Sequence, residues 1–190
     1  MKTDLIITRT EGDITIHTAT IADRARYVEL ELQGDLMKQV AEVGKTKGVD
    51  LEEIIWDERY KTDCIMFAIV ENESGITIGF CEIEHISTDE PTLGISLEES
   101  YRGKGYGYSA AKAMIAEGWK IFDHDYFVWE VDKENEASKK LAVKLGGQLI
   151  NHRCVLPEHI LKMMRESGMD INIEDYPNSV ERYKIERPRG

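Results

Sequence analysis

The chain has 190 residues, of which 42% are hydrophobic, and this is enough for one globular domain with a sizeable core. Its 36 acidic residues outnumber its 24 lysines and arginines, which gives a formal net charge of -12. Such a charge repels nucleic acids and anionic membranes, and it either attracts cationic partners or simply keeps the surface solvated. We therefore expect neither a nucleic-acid partner nor a membrane partner.

The cysteines and the first residues indicate a reducing environment. Cys64, Cys81 and Cys154 lie far apart in apolar, strand-like runs, which favours buried thiols over disulfides or metal ligands. The histidines show no metal-binding spacing, so no metal site is expected. The segment "MKTDLIITRTEGD" carries charges too early for a signal peptide, and no apolar run reaches the ~20 residues that cross a membrane. A cytoplasmic location is the default prediction.

The first half of the chain contains strand patterns around a helical region. "LIITRTEGDITIHT" predicts two strands joined by a tight turn, and Thr20 predicts the N-cap of a helix from Ile21 to about Leu32. An acidic helical region follows over residues 35–61. "CIMFAIVE" and "TIGFCEIEHI", separated by "NESG", predict a hairpin, and "TLGISLEE" predicts a short strand after it.

The second half alternates helices with strands. "YSAAKAMIAEGWKIF" predicts a helix, "YFVWEV" a strand, and "ENEASKKLAVKLGG" a helix that ends at Gly146. "QLINHRCVL" and "SVERYKIER" predict the last strands, with a short helix between them in residues 157–178. The order predicts a single domain over residues 1–190 of the α/β (mixed α+β) class, with a central twisted mixed sheet of about seven strands flanked by helices.

The glycine-rich stretch "SYRGKGYGYS", residues 100–109, lies between a predicted strand and a predicted helix. Its glycines leave room for backbone N–H groups to approach an anion, and a helix N-terminus favours negative charge. The spacing fits neither the Rossmann motif nor the P-loop. The stretch is therefore either a phosphate-binding loop of another kind or an ordinary turn.

Two motifs together resemble the signatures of the GNAT superfamily of acyl-CoA-dependent N-acyltransferases. The first is R-x-x-G-x-G starting at Arg102, and the second is N-x-x-S-x-x-L starting at Asn135 in a helix that ends in "KLGG". The resemblance is clear over about residues 76–150. The chain departs from the family pattern at Gly147, where phenylalanine is usual, and at Ala142, where many members have a tyrosine that acts as an acid.

The resemblance implies acetyl-CoA as the acyl donor. Its pyrophosphate would lie on the amides of residues 103–108, and its pantetheine arm would lie along residues 95–97 and hydrogen-bond to Asn135. Lys104, Lys139 and Lys140 are candidates for the 3′-phosphate, or plain solvated lysines. The implied cofactor-binding residues are Ile95, Ser96, Leu97, Arg102, Gly103, Lys104, Gly105, Tyr106, Gly107, Tyr108, Asn135 and Ser138.

The implied chemistry is direct attack of an amine on the thioester. The Leu97 amide would stabilise the developing oxyanion, and a base would take the proton of the amine. Glu130 matches the position of a proposed base in ribosomal-protein N-terminal acetyltransferases, but it is equally an ordinary strand glutamate. Glu82 and Glu84 share one face of a strand and are rival bases, or simply its polar face. Since Ala142 cannot act as an acid, Ser138 would assist the thiol by hydrogen bonding, or no side-chain acid is used.

These observations predict an N-acetyltransferase similar to the ribosomal-protein N-terminal and small-amine branch of the superfamily. The acceptor would be a small-molecule or peptide amine, and the acidic segments 35–61 and 157–178 would flank its cleft and favour a cationic one. A homodimer is possible because dimers are common in the family. The alternative is an acyl-CoA-binding sensor or structural module of the same fold that does not catalyse.

Overall fold

The computed structural model describes residues 6–33, 42–44, 46–48, 53–57, 63–154 and 179–188. The chain divides into two compact units, Met1–Asp123 and His124–Gly190. The predicted helix in residues 157–178 and much of the predicted region 35–61 lie outside the described residues. The single domain over residues 1–190 stays a prediction. No helix in the described parts of the chain is long and apolar enough to cross a membrane.

The described part of the first unit contains five strands, each antiparallel to the next. They are β1 (Thr8–Glu11), β2 (Ile14–Thr18), β3 (Cys64–Glu71), β4 (Thr77–Glu84) and β5 (Thr92–Leu97). The hairpins β1–β2 and β3–β4 are those that the strand patterns predict. Antiparallel neighbours need only short turns, which is why the local sequence was sufficient to predict them.

The first helix, α1 (Arg24–Glu31), follows a 3₁₀ turn at Ile21–Asp23. The Thr20 hydroxyl accepts a hydrogen bond from the amide of Ala22 at 3.3 Å, and the Asp23 carboxylate accepts one from the Thr20 amide at 2.8 Å. This reciprocal capping box satisfies amides that the helix itself cannot bond. The predicted N-cap at Thr20 is confirmed.

The two faces of this sheet carry different helices, because successive strand residues point to opposite faces. On one face, which we call the α1 face, Phe80 packs against Tyr27 with ring centroids 5.0 Å apart, and Trp56 lies 5.8 Å from Tyr27. On the other, the α2 face, α2 (Tyr106–Ile121) packs against β1, β2, β4 and β5. Each large side chain buried in this way contributes about 1.5–3 kcal/mol.

The second unit contains β6 (Tyr126–Asp132), α3 (Glu136–Lys144), β7 (Gln148–Cys154) and β8 (Ser179–Glu186). β8 pairs antiparallel with both β6 and β7. α3 ends where the sequence predicts: Gly146 has a φ of 88°, and the amide of Gly147 donates to the carbonyl of Ala142 at 2.9 Å. The described residues of the two units contain eight strands, one for each strand pattern in the sequence, rather than the expected total of about seven.

Candidate active site

The glycine loop lies between β5 and α2. Gly103 and Gly105 have φ angles of 75° and 90°, and a β-carbon at either position would have no heavy atom within 4 Å. α2 begins directly after Gly105, and its first hydrogen bond runs from the Tyr108 amide to the Gly105 carbonyl at 3.1 Å. The amides of Tyr106 and Gly107 precede that bond and have no acceptor within the helix. The loop therefore presents N–H groups and the positive end of a helix to open space, and this fits a phosphate group.

Side chains of the loop fix its shape. The Tyr106 hydroxyl donates to Glu71 Oε1 at 2.6 Å; this bond raises the pKa of Tyr106 to about 12 and lowers the pKa of Glu71. The Lys104 ammonium lies 4.9 Å from the centroid of the Tyr101 ring, and Lys104 is exposed. The first residue of α2 is thus tied to the end of β3, while a cation remains at the open side of the loop.

The backbone of β5 directs selected N–H groups away from β4. The Glu98 amide donates to the Ile78 carbonyl at 2.9 Å. Since pairs with and without hydrogen bonds alternate in an antiparallel ladder, the N–H and C=O groups of Leu97 and Ile95 point away from β4. In agreement, the Leu97 carbonyl accepts from Arg102 Nε at 2.9 Å. This orientation is compatible with the predicted roles of these groups as donors to a pantetheine arm and to an oxyanion, and those roles stay predictions.

At Gly79, the backbone of β4 lies very close to this part of β5. A β-carbon at Gly79 would lie 2.2 Å from the carbonyl oxygen of Ser96 and 3.0 Å from the Cα of Leu97. Only glycine allows the two backbones to come so near without a shift. Gly79 therefore belongs to the residues that determine where Ser96 and Leu97 lie.

The strand register places Glu82 and Glu84 on the α1 face, opposite Gly94 and Thr92 respectively. A β-carbon at Gly94 would lie only 2.9 Å from Glu82 Oε1, so the carboxylate sits directly beside the Gly94 Cα. Gly94 precedes Leu97 by three residues, or about 10 Å along a strand. That distance is too long for one bridging water, so a carboxylate there exchanges protons with a group near the Leu97 amide only through a chain of water molecules.

Glu130, in the second unit, is held by two arginines. Its Oε1 accepts from Arg182 Nε at 3.0 Å and from Arg153 Nε at 3.1 Å, and its Oε2 accepts from Arg153 Nη2. Burial opposes ionisation of Glu130, but the bonds and charges of Arg153 and Arg182 outweigh it and lower the pKa. A carboxylate so stabilised in its charged form is a weak base. The predicted role of Glu130 as the base stays a prediction, and these ion pairs weigh against it.

Asn135 and Ser138 are brought together at the start of α3. Asn135 Oδ1 accepts from the Ser138 amide at 3.1 Å, and Ser138 Oγ accepts from Trp129 Nε1 at 2.9 Å. Each side chain retains donor capacity, an amide NH₂ on Asn135 and a hydroxyl proton on Ser138. Lys139 instead forms an ion pair with Glu181 at 2.8 Å, and this weighs against the 3′-phosphate role predicted for it.

The predicted site residues divide between the two units: residues 95–108 belong to the first, and Glu130, Asn135 and Ser138 belong to the second. Sequence reasoning missed the partners of these residues, namely Glu71, Arg153 and Arg182. The alternation of residues along β8 could have predicted which residues share a face with Arg182. Nothing in the sequence, however, specified that Glu130 lies opposite Arg182 on the neighbouring strand.

Family comparison identifies the class of protein. The family model of the acetyltransferase (GNAT) domain matches residues 13–148, which is more than half of the chain. The chain therefore belongs to the GNAT acetyltransferase family, whose members use acetyl-CoA as the acetyl donor. The left-handed, unobstructed backbone at Gly103 and Gly105 fits the phosphates of that donor.

Solved structures share the fold across almost the whole chain. An acetyltransferase (GNAT family) from Bacillus anthracis has a TM-score of 0.65 and 18% identity, covering 95% of this chain and 98% of its own. RimL, a ribosomal-protein alpha-N-acetyltransferase in complex with coenzyme A, has a TM-score of 0.63 and 17% identity, with coverages of 95% and 97%. A spermidine N-acetyltransferase SpeG chimera from Vibrio cholerae and hSSAT has a TM-score of 0.62 and 14% identity, with coverages of 92% and 96%. At these identities the likeness shows the mixed α/β GNAT fold; no curated protein matches the chain significantly.

Proposed function

We propose that this protein is an acetyl-CoA-dependent N-acetyltransferase that moves an acetyl group to the primary amine of a small molecule or a peptide. The observation that carries the proposal is the glycine loop, whose open backbone at Gly105 leads directly into α2. The loop follows a strand whose Leu97 N–H points away from its neighbour β4. Acetyl-CoA supplies an activated thioester to this arrangement.

On the donor side, the protein contributes mainly backbone groups. The amides of residues 103–108 hold the pyrophosphate, and the N–H and C=O groups of Ile95 and Leu97 orient the pantetheine arm. The Leu97 N–H donates to the carbonyl oxygen as negative charge develops on it, and one such donor is worth about 2.7–4 kcal/mol of barrier. The side-chain amide of Asn135 donates to the arm.

On the acceptor side, the protein must remove a proton, because an amine is largely protonated at neutral pH. We assign this task to Glu82 rather than Glu130. Glu82 lies beside Gly94 on the α1 face, whereas Glu130 is committed to Arg153 and Arg182. A departing thiol with a pKa of about 8.5 needs little acid assistance, and a hydrogen bond from the Ser138 hydroxyl would supply it.

A cationic acceptor is supported by the charge of the chain. The net charge is -12, and Glu82 and Glu84 both project on the α1 face. Among proteins of the same fold, one acetylates spermidine and another a ribosomal protein, according to their names. A cytoplasmic location and a homodimer remain predictions; the free thiols of the three cysteines agree with the former.

The second candidate function is a non-catalytic module that binds acyl-CoA. It is favoured by Ala142, which is fully buried and stands where many family members have a tyrosine acid. Binding of acetyl-CoA alone therefore does not establish an enzyme.

Product analysis tests the proposal. The purified protein is incubated with acetyl-CoA and a panel of polyamines, aminoglycosides, amino acids and peptides, and each acceptor is examined by mass spectrometry. We expect one class to gain a single acetyl group on an amine. Tight binding of acetyl-CoA with no acetylated acceptor would favour the non-catalytic module instead.

A further inference from the structure

One arginine of α1 links three separate elements of the first unit. Arg26 Nε donates to the Thr77 carbonyl at the start of β4 at 2.9 Å, and Nη1 donates to Glu29 Oε2 on its own helix at 2.8 Å. Its Nη2 donates to Glu98 Oε2, which lies 72 positions further along the chain. The Arg26 side chain is only 23% exposed. A planar guanidinium can satisfy three acceptors in this fixed geometry, and a lysine cannot.

Glu98 is the residue directly after Leu97, and it organises the turn that leads into the glycine loop. Its Oε1 accepts from the Ser100 hydroxyl at 2.9 Å, and its carbonyl accepts from the Tyr101 amide at 3.0 Å. The hydrogen bond from Arg26 is the main cause of the lowered pKa of Glu98, so its carboxylate stays charged. The ion pair between Arg26 and Glu98 thus connects this turn to α1.

The peptide group that follows Leu97 is held at both ends. Its N–H, which belongs to Glu98, donates to the Ile78 carbonyl, and its C=O accepts from Arg102 Nε. The Glu98 side chain takes part in neither bond, but it is attached to the Cα at the end of this plane, so its contacts with Arg26 and Ser100 restrain the plane as well. The Leu97 N–H belongs to the preceding peptide plane, which meets this one at the Leu97 Cα. A shift of Glu98 would therefore reach the Leu97 N–H through the backbone torsions of Leu97.

We propose that Arg26 is a positioning residue for acetyl transfer: through Glu98 it fixes the direction of the Leu97 N–H. The inference rests on the proposed function, because that direction matters only if the amide faces a thioester carbonyl. The competing explanation is that Arg26 only stabilises the fold by joining α1 to β4. The two explanations differ in what happens to bound acetyl-CoA.

The test uses acetyl-CoA labelled with ¹³C at the thioester carbonyl and does not require a known acceptor. A hydrogen bond from Leu97 moves the carbonyl resonance downfield when the wild-type protein binds the donor. We expect Arg26→Lys and Glu98→Gln each to lose most of this displacement while their affinity for coenzyme A changes by less than about threefold. The matched control is Glu29→Gln, which removes the solvent-side partner of Arg26, 63% exposed, and should keep the displacement.

Kinetics with any acceptor found active give a second readout. Both variants should lower kcat by about tenfold with little change in the KM for acetyl-CoA. The double variant should be no slower than either single variant, because the two residues act as one unit.

The outcomes separate this inference from the proposed function. In one outcome, the wild type binds acetyl-CoA with a downfield carbonyl resonance, and Arg26→Lys and Glu98→Gln show the same displacement but a lower melting temperature. Arg26 is then only structural, and the positioning role is overturned. The role is also overturned if the wild type binds without displacement. If the wild type does not bind acetyl-CoA at all, the proposed function fails and the positioning role fails with it.

Discussion

Glu82 and Glu130 differ in the partners that surround their carboxylates. Glu82 Oε1 lies against the bare Cα of Gly94 on the α1 face, about three residues from the Leu97 amide along β5. Glu130 accepts three hydrogen bonds from Arg153 and Arg182. A base must be able to gain a proton, and arginine partners resist that gain. Glu130 therefore joins neighbouring strands through its arginine partners, and Glu82 stays our proposed base.

The first prediction concerns Glu82→Gln. The substitution keeps the shape of the side chain and removes the base, so kcat should fall by about 10²-fold while the affinity for acetyl-CoA is unchanged. The matched control is Glu84→Gln. Glu84 lies on the same face as Glu82, but its position is two residues further from Leu97 along the strand pair. Steady-state kinetics and calorimetry measure both quantities. A Glu82→Gln variant with wild-type kcat would remove Glu82 from the mechanism.

The second prediction concerns Glu130→Gln and stability. The change leaves Arg182, only 10% exposed, without its carboxylate partner, and should lower the free energy of unfolding by about 1–3 kcal/mol. Since the pKa of Glu130 is lowered in the folded protein, its contribution is present above the unfolded pKa of about 4.3 and disappears as the pH falls through the folded value. Urea unfolding should show a gap between wild type and variant that is full at neutral pH and closes below about pH 4.

The opposite result for Glu130 is equally clear. If Glu130→Gln unfolds like the wild type at neutral pH but loses nearly all acetyl transfer, the arginine pairs are incidental. Glu130 would then be the base, as its position in the sequence first indicated.

At the scale of elements, the donor site that we propose is the loop between β5 and α2. Its function depends on backbone amides, so the relevant property of Gly105 is the space that its missing side chain leaves. The same backbone conformation occurs at Gly146, where it only ends α3. The two glycines therefore form a natural pair for comparison.

The third prediction is that Gly105→Ala weakens coenzyme A binding and Gly146→Ala does not. Their φ angles are 90° and 88°, and neither β-carbon would meet an atom within 4 Å. Both substitutions therefore lower the free energy of unfolding by a similar amount, about 1–2 kcal/mol, because alanine disfavours the left-handed conformation. Only at position 105 would the methyl group enter the space for the phosphates. Calorimetry should show an affinity lower by about tenfold or more for Gly105→Ala, and a change below about twofold for the control. Equal affinities would place the pyrophosphate elsewhere.

Local patterns predicted the elements well because their causes are local. The Thr20 cap, the glycines after α3 and the strand–loop–helix order around Gly105 each depend on a few neighbouring residues. Side-chain partners such as Arg26 with Glu98, or Arg182 with Glu130, were not predictable. They lie 72 and 52 positions apart, and their meeting depends on strand register and helix packing, which alternation alone does not specify.

For the whole molecule, the family establishes the donor, and the charge of the chain bears on the acceptor. A net charge of -12 concentrates cations around the protein and should favour encounter with a cationic amine. Neither fact decides whether the bound thioester is turned over. The central claim is that acetyl-CoA on the glycine loop reacts with an amine.

The measurement that tests this claim most directly is the rate of thiol release from acetyl-CoA by the wild-type protein, with and without each class of amine. The account predicts release that depends on one acceptor class and saturates with its concentration. Tight binding of acetyl-CoA, with release that no acceptor accelerates, would contradict it and identify the protein as a non-catalytic acyl-CoA-binding module.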